Sequence, residues 1–221
     1  MRGTLVLDLD GTLVDSVPDL ASALNRLMAS RGLAAFTPPE VASMVGDGAR
    51  VLVERAFAAR GGMADEAGQS TFLVDYTDNA AVDTRAFDGA DEALRRMADT
   101  GWLFAVRTNK PEAATHSVLA ALGLAPWFKA VGGGDSFPTR KPDPAHLLAT
   151  LAAAGGAPGA AVMVGDHAND VRAAAGAGVP CIFAGWGYGP RSMAEGAAAV
   201  AERFADVPAL ADGLLDGRAP G

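Results

Sequence analysis

Asp8 and Asp10 stand two residues apart, just after the apolar run Leu5–Leu7 and just before Gly11. At the end of a strand that spacing turns both side chains to the same side, and Gly11 lets the backbone turn sharply. Two adjacent carboxylates repel unless they share a proton or a cation, and a hard divalent cation such as Mg2+ relieves that conflict. One carboxylate is then placed to attack phosphorus and the other to handle protons. Read alone, Asp10-Gly11 is equally an ordinary turn. Thr108-Asn109-Lys110-Pro111-Glu112 follows another apolar run and has the composition of a helix start. A hydroxyl and free backbone N–H groups at such a place suit a phosphate, and an ordinary helix cap accounts for the same residues. Lys141, in Lys141-Pro142-Asp143-Pro144, opens a further helix. The chain has 3 lysines against 15 arginines, and two of the three, Lys110 and Lys141, fall beside this chemistry. Lysine is a compact point charge, suited to a place between a nucleophilic carboxylate and a phosphate. Asp166 and Asp170 frame the segment Gly165-Asp166-His167-Ala168-Asn169-Asp170. Either can cap a helix, and Asp166, at a strand end, is the better metal ligand. His167 has no second His or Cys near it in sequence, which argues against zinc. His116 and His146 fall on helical stretches and read as structural or surface residues.

These residues need a frame. Leu5–Leu7, Leu103–Val106, Lys129–Val131, Ala161–Val164 and Cys181–Ala184 are short runs without polar alternation, as in strands buried on both faces. Helical stretches over 112–122, 145–154 and 170–177 lie between the later ones. Strands alternating with helices predict a parallel sheet with right-handed crossovers, and such sheets bind ligands beyond the carboxyl ends of their strands. Asp8–Asp10, Thr108–Asn109, Asp135 with Lys141, and Asp166 all follow such ends. The stretch from Ser16 to Thr84 reads as helical instead, with Leu20, Ala23, Leu24 and Leu27 at helical spacing. It is too long for a loop in a compact domain, so it reads as an inserted helical subdomain jointed near Asp15 and Arg85–Gly89. The tail from Gly217 is expected to fray.

Composition narrows the classes. The chain has 221 residues, half of them apolar, enough for a buried core and against general disorder. Its net charge is -8, with 19 Asp to 7 Glu, and it has no Lys/Arg run of the kind a nucleic-acid binder shows. Cys181 stands alone, which excludes an internal disulfide framework, and its apolar neighbours make it a buried structural thiol. No apolar run approaches a membrane span, and the first residues do not read as a signal peptide. The expectation is a cytoplasmic protein with no nucleic-acid or membrane partner. Oligomeric state is not legible.

Taken together, the four segments resemble the haloacid dehalogenase-like superfamily of phosphohydrolases. Asp8-Leu9-Asp10-Gly11-Thr12 matches its first motif, Thr108-Asn109 the second, Lys141 the third, and Gly165-Asp166 with Asp170 the fourth, in the right order across almost the whole chain. Leu13-Val14-Asp15-Ser16 with Pro18-Asp19, Asn109-Lys110-Pro111, Arg140-Lys141-Pro142-Asp143-Pro144 and Gly185-Trp186-Gly187-Tyr188-Gly189 are similar to its phosphoglycolate phosphatases. The resemblance implies an α/β fold: a Rossmann-like parallel-sheet core over 1–15 and 85–221, with a small α-helical cap domain over 16–84. It implies a Mg2+-dependent phosphatase for a small phosphorylated metabolite, 2-phosphoglycolate foremost. Asp8 would be the nucleophile and form an aspartyl-phosphate. Asp10 would protonate the leaving alcohol and then activate water. Thr108 and Lys141 would bind the transferring phosphoryl group, with Gly11 and Asn109 lining the substrate. Asp8, the Asp10 backbone carbonyl and Asp166 would hold Mg2+, with Asp170 supporting. Two positions depart from the pattern: Arg107 stands where an apolar strand residue is usual, and His167 where Ser or Thr is common.

The alternatives are a sugar phosphomutase with the same core chemistry and, from another class, a non-catalytic metabolite-binding protein on this fold. The intact set Asp8, Asp10, Lys141 and Asp166 speaks against the binder. Carbon–halogen cleavage is disfavoured by the presence of Asp10. Phosphonate cleavage through a cap Schiff base is disfavoured because 16–84 contains no Lys. Gly46-Asp47-Gly48-Ala49-Arg50 is a candidate specificity loop, with Arg50 expected to contact a substrate carboxylate unless it is a surface arginine at a helix start.

Overall fold

The computed structural model of the chain describes residues 1–217, so nearly all of the tail expected to fray lies outside the described residues. Strands β1 (Gly3–Leu7), β4 (Trp102–Arg107), β5 (Phe128–Gly132), β6 (Ala161–Gly165), β7 (Cys181–Ala184) and β8 (Ala199–Ala201) form one sheet in the order β5-β4-β1-β6-β7-β8. All its pairings are parallel. β1 and β6, at its centre, are buried at every residue, which is why their sequences show no alternation. Helices α5 (Ala90–Asp99), α6 (Glu112–Ala121), α7 (Pro144–Ala153), α8 (Ala168–Ala177) and α9 (Val207–Leu215) supply the crossovers and cover. The five predicted strands are all present. β8 was not predicted: three residues in an alanine-rich stretch carry little pattern.

The sheet's faces are closed by two apolar groups. Leu5, Leu7 and Val162 face one side with α5 and α9 residues such as Leu94 and Ala211. Val6, Ala105, Met163 and Phe183 face the other with Leu147, Leu151 and Ala174. Alternation along β1 thus sends its side chains to opposite cores, and its end is left to deliver Asp8 to the edge. Cys181 is buried in the second group, and burial pushes its thiol up, as expected of a structural thiol.

Along the chain between β1 and β4 lie α1 (Val17–Ser30), α2 (Pro38–Ala42), α3 (Ala49–Ala59) and α4 (Glu66–Asp78). Two short strands, β2 (Val14–Asp15) and β3 (Arg85–Ala86), pair antiparallel where the chain leaves for these helices and where it returns. Asp19, buried at the start of α1, fastens the same joint: its carboxylate accepts from the N–H groups of Asp83 and Thr84 and from the Thr84 hydroxyl (2.7 Å). A buried carboxylate with three such donors is held in place rather than stranded.

Candidate active site

Asp8 follows β1, Thr108 follows β4, and Asp166 follows β6, so three neighbouring strands place them on one edge. Gly11 turns the chain there with φ +84°, a conformation that favours glycine, and a Cβ would collide with Asp166 Oδ2. Asp8 Oδ1 accepts from the Leu9 N–H (2.7 Å) and lies 2.6 Å from Lys141 Nζ. The same Nζ lies 2.7 Å from Asp170 Oδ1. All three side chains are buried. Asp166 Oδ1 accepts from the Thr12 hydroxyl (2.9 Å), and Oδ2 from the Tyr188 N–H (2.8 Å). Thr108 Oγ1 accepts from the Lys110 N–H (3.1 Å), which leaves its own hydrogen free to donate.

This corner carries too much negative charge. Asp8, Asp166 and Asp170 each offer an oxygen within 4.8 Å of the others. Burial, and then Asp170 and Asp166, push Asp8 up to about 8 against the opposing pull of Lys141. Burial, and then Asp170, push Asp166 up to about 6. A buried cluster of carboxylate oxygens with no His or Cys among them fits a hard divalent cation.

Behind it stands a buried polar layer. Arg107 is fully buried, with Nη1 3.7 Å from Asp170 Oδ1. Neither of these two atoms has a hydrogen bond of proper geometry, so charge rather than a directed bond holds this corner. Arg107 Nε donates to His146 Nδ1 (3.2 Å), and His146 Nε2, 2.9 Å from the Gly133 carbonyl, must therefore carry the ring proton. Burial lowers His146 to about 4, and the Arg107 charge opposes protonation further. The departure at position 107 is thus a second buried cation beside Asp170. His167 is also explained: its Nδ1 accepts from the Asn169 N–H (3.1 Å), doing for α8 what a Ser or Thr hydroxyl does elsewhere, while Asp170 Oδ2 accepts from His167 N–H. Asp135 caps α6 by accepting from the Glu112 N–H.

Asp10 lies apart from the three-carboxylate cluster. Its Oδ1 accepts from the Ser16 hydroxyl (2.6 Å) and from Lys110 Nζ (2.8 Å). Lys110 also meets the hydroxyl of Tyr76, from α4. Burial alone would lower the Lys110 ammonium, but Asp10 and then Tyr76 outweigh it and raise it. The pocket here is lined by Asp8, Asp10 and Thr108 from the sheet edge and by Leu20, Leu52 and Tyr76 from the helices. Asn109 bridges the two parts: its Nδ2 donates to the Gly46 carbonyl (3.1 Å) and its Oδ1 accepts from the Lys141 N–H (3.1 Å). Asp47 Oδ1 accepts from Asn169 Nδ2 (2.6 Å), so the 46–48 loop touches the sheet edge in two places.

Of the residues singled out in the sequence, Asp8, Lys141, Asp166 and Asp170 meet in one cluster, Gly11 lies against Asp166, and Thr108, Asp10 and Asn109 line the pocket beside Asp8. Arg50 does not join them. It is exposed on α3 and paired with Glu54 one turn on (2.9 Å). Tyr76 gave no signal in the sequence. Tyr188 was visible only as part of the Gly185–Gly189 stretch: its hydroxyl donates to Asp15 Oδ1 (2.8 Å) and accepts from the Ser16 N–H (2.8 Å), tying the joint to the Asp166 loop.

The fold and the site define a hydrolase of the haloacid dehalogenase-like type. The model of the haloacid dehalogenase-like hydrolase family matches residues 3–178, and the chain belongs to that family. It is 41% identical over 198 residues to a phosphoglycolate phosphatase of Mesorhizobium japonicum, covering 88% of this chain and 87% of that one. It is 41% identical over 218 residues to the phosphoglycolate phosphatase of Caulobacter vibrioides, covering 96% and 92%. A crystal structure described as a predicted phosphoglycolate phosphatase from Haemophilus somnus superposes with a TM-score of 0.87 at 30% identity, over 94% of this chain and 97% of that one.

Proposed function

We propose that the chain is a Mg2+-dependent phosphatase of small phosphate monoesters, with 2-phosphoglycolate as substrate. The observation that carries this is the buried Asp8 held by Lys141, with Asp10 two residues on and facing the same pocket. The likeness to phosphoglycolate phosphatases over most of the chain supports the substrate. A carboxylate oxygen of Asp8 attacks phosphorus, and the bond to the leaving oxygen breaks. Asp10 donates its proton to that oxygen, giving the free alcohol and an aspartyl-phosphate. Asp10, now a carboxylate, takes a proton from the water that attacks the phosphoryl group, which returns Asp8 and releases phosphate. Lys141 and the free hydrogen of Thr108 face the equatorial oxygens, where negative charge must be offset as the group transfers. Asp8, the Asp10 carbonyl and Asp166 would hold the cation, with Asp170 orienting Lys141 beside it. When bound, the cation offsets the excess carboxylate charge and polarises the phosphoryl group.

In this reading residues 1–15 and 85–221 form the catalytic core and 16–84 a cap. Support comes from the paired strands and the Asp19 clasp where 16–84 begins and ends. No helix among the described residues is long and apolar enough to cross a membrane, which fits a cytoplasmic enzyme. The test is phosphate release from 2-phosphoglycolate with Mg2+. Asp8→Asn should lower the rate by at least about 10^4-fold, the scale for losing a covalent nucleophile. A wild-type protein that releases no phosphate from any monoester in a metabolite panel would favour the binding-protein reading.

A further inference from the structure

Lys110 has no part in the chemistry described above, yet it is among the most deeply buried charges in the chain. Its side chain is 3% exposed. A lysine in such a place needs partners to offset the loss of water. One is Asp10 Oδ1 at 2.8 Å. The other is Tyr76, whose hydroxyl it meets and whose ring centroid lies 4.4 Å from Nζ. Tyr76 is buried, and its ring stacks on Phe72, one helical turn earlier on α4 (centroids 5.8 Å, planes 2° apart). The tyrosine is therefore set by its own helix, and the lysine by the tyrosine. Ser16 Oγ meets the same carboxylate oxygen from the other direction. With Oδ1 fixed by two donors, Asp10 can turn only its second oxygen toward a leaving group.

We propose that Lys110 and Tyr76 are positioning residues for Asp10. Together they fix its carboxyl group in the orientation from which it hands a proton to the leaving oxygen. Tyr76 is the contribution of the inserted helices to this step. The proposal rests on the phosphatase reading and on Asp10 as its proton donor. A positioning role of this kind has a signature that a merely structural one lacks. An alkoxide leaving group, as from 2-phosphoglycolate, needs the proton. A stabilised leaving group, as from p-nitrophenyl phosphate or acetyl phosphate, does not.

The experiment compares wild type, Lys110→Met and Tyr76→Phe on 2-phosphoglycolate and on whichever activated phosphate the wild type hydrolyses faster. Turnover by the wild type tests the phosphatase reading by itself. Because Asp10 also activates the water that clears the aspartyl-phosphate from every substrate, Lys110 and Tyr76 are tested on the first step alone, by single-turnover release of the leaving group. Lys110→Met should lower that rate on 2-phosphoglycolate by about 100-fold, the low end of the range for general acid catalysis, and Tyr76→Phe by a smaller factor of about 5. On the activated phosphate the same step should lose less than about 3-fold in either variant, and KM should move little. Equal first-step losses on both substrates would overturn the proposal, because a loosened site harms all phosphoryl transfer alike. A rise in KM confined to 2-phosphoglycolate at unchanged kcat would also overturn it, assigning Lys110 to the substrate's carboxylate instead. If Lys110→Met does not fold, Tyr76→Phe decides alone, since it removes one oxygen and keeps the ring stack.

Discussion

Asp8 and Asp10 are separated by a single residue, and each faces a buried lysine, but the two lysines are held in different ways. Lys141 sits between Asp8 and Asp170, both from the sheet edge, with Arg107 and His146 buried behind. Nothing in that set comes from the 16–84 helices. Lys110 sits between Asp10, from the sheet edge, and Tyr76, from α4. The surroundings of Asp8, the proposed nucleophile, thus come from the sheet edge and should be ready before substrate arrives. Those of Asp10, the proposed proton donor, are complete only with the α1–α4 helices in place. The division matches the chemistry: every phosphate monoester needs the same attack on phosphorus, whereas the leaving group differs from substrate to substrate.

The largest expected effect tests the first half of this comparison. Lys141→Met should lower kcat by about 10^2–10^3-fold, the scale for losing one charge-stabilising group. Because in the proposed mechanism that charge acts on the transferring phosphoryl group, the loss should be equal for 2-phosphoglycolate and for p-nitrophenyl phosphate. Steady-state rates on both substrates check it. A loss confined to 2-phosphoglycolate would erase the difference between the two lysines.

The next effect is on stability and asks whether the Lys141 side is joined to the core. His146 takes up a proton near pH 6.5 in an unfolded chain, but burial and Arg107 hold it near 4 in the fold. Its contribution is therefore complete above pH 6.5 and is lost progressively as the pH falls toward 4, with a span of about 3 kcal/mol. Denaturant unfolding across that interval should show wild type losing stability faster than His146→Gln, which cannot titrate. Parallel curves for the two proteins would mean that this polar layer does not bear on the fold.

Much of this arrangement was legible in the sequence, for local reasons. β1, β4 and β6 are apolar runs that stop at polar residues, and in a parallel sheet those stops share one edge. Asp8, Thr108 and Asp166 could therefore be brought together without knowing any tertiary contact. What stayed hidden depends on meetings between distant segments. Lys110 was noticed as a rare lysine, but its partner is 34 residues away on α4, a helix whose polar composition does not announce that Phe72 and Tyr76 face inward. Arg107 stood out only as a departure from the apolar residue usual in the resembled superfamily, which says nothing of Asp170 and His146 waiting there. β8 was too short to leave a pattern.

Arg50 is the smallest expected effect and the sharpest on where the substrate lies. The sequence placed it in a glycine-flanked loop beside the presumed substrate, as a partner for a carboxylate. In the fold Gly48 ends that loop and α3 begins at Ala49. Ala49 and Leu52 line the pocket, whereas Arg50 points away from it, its side chain 71% exposed and its Nε 2.9 Å from Glu54. An exposed pair at this spacing contributes little. Arg50→Ala should therefore leave kcat/KM for 2-phosphoglycolate within about 2-fold of wild type. A tenfold rise in KM for 2-phosphoglycolate, with p-nitrophenyl phosphate unaffected, would mean that α3 turns its exposed face to the substrate during turnover. The inserted helices would then bind substrate as well as complete the surroundings of Asp10, and the two lysines could no longer be compared in this one arrangement of the chain.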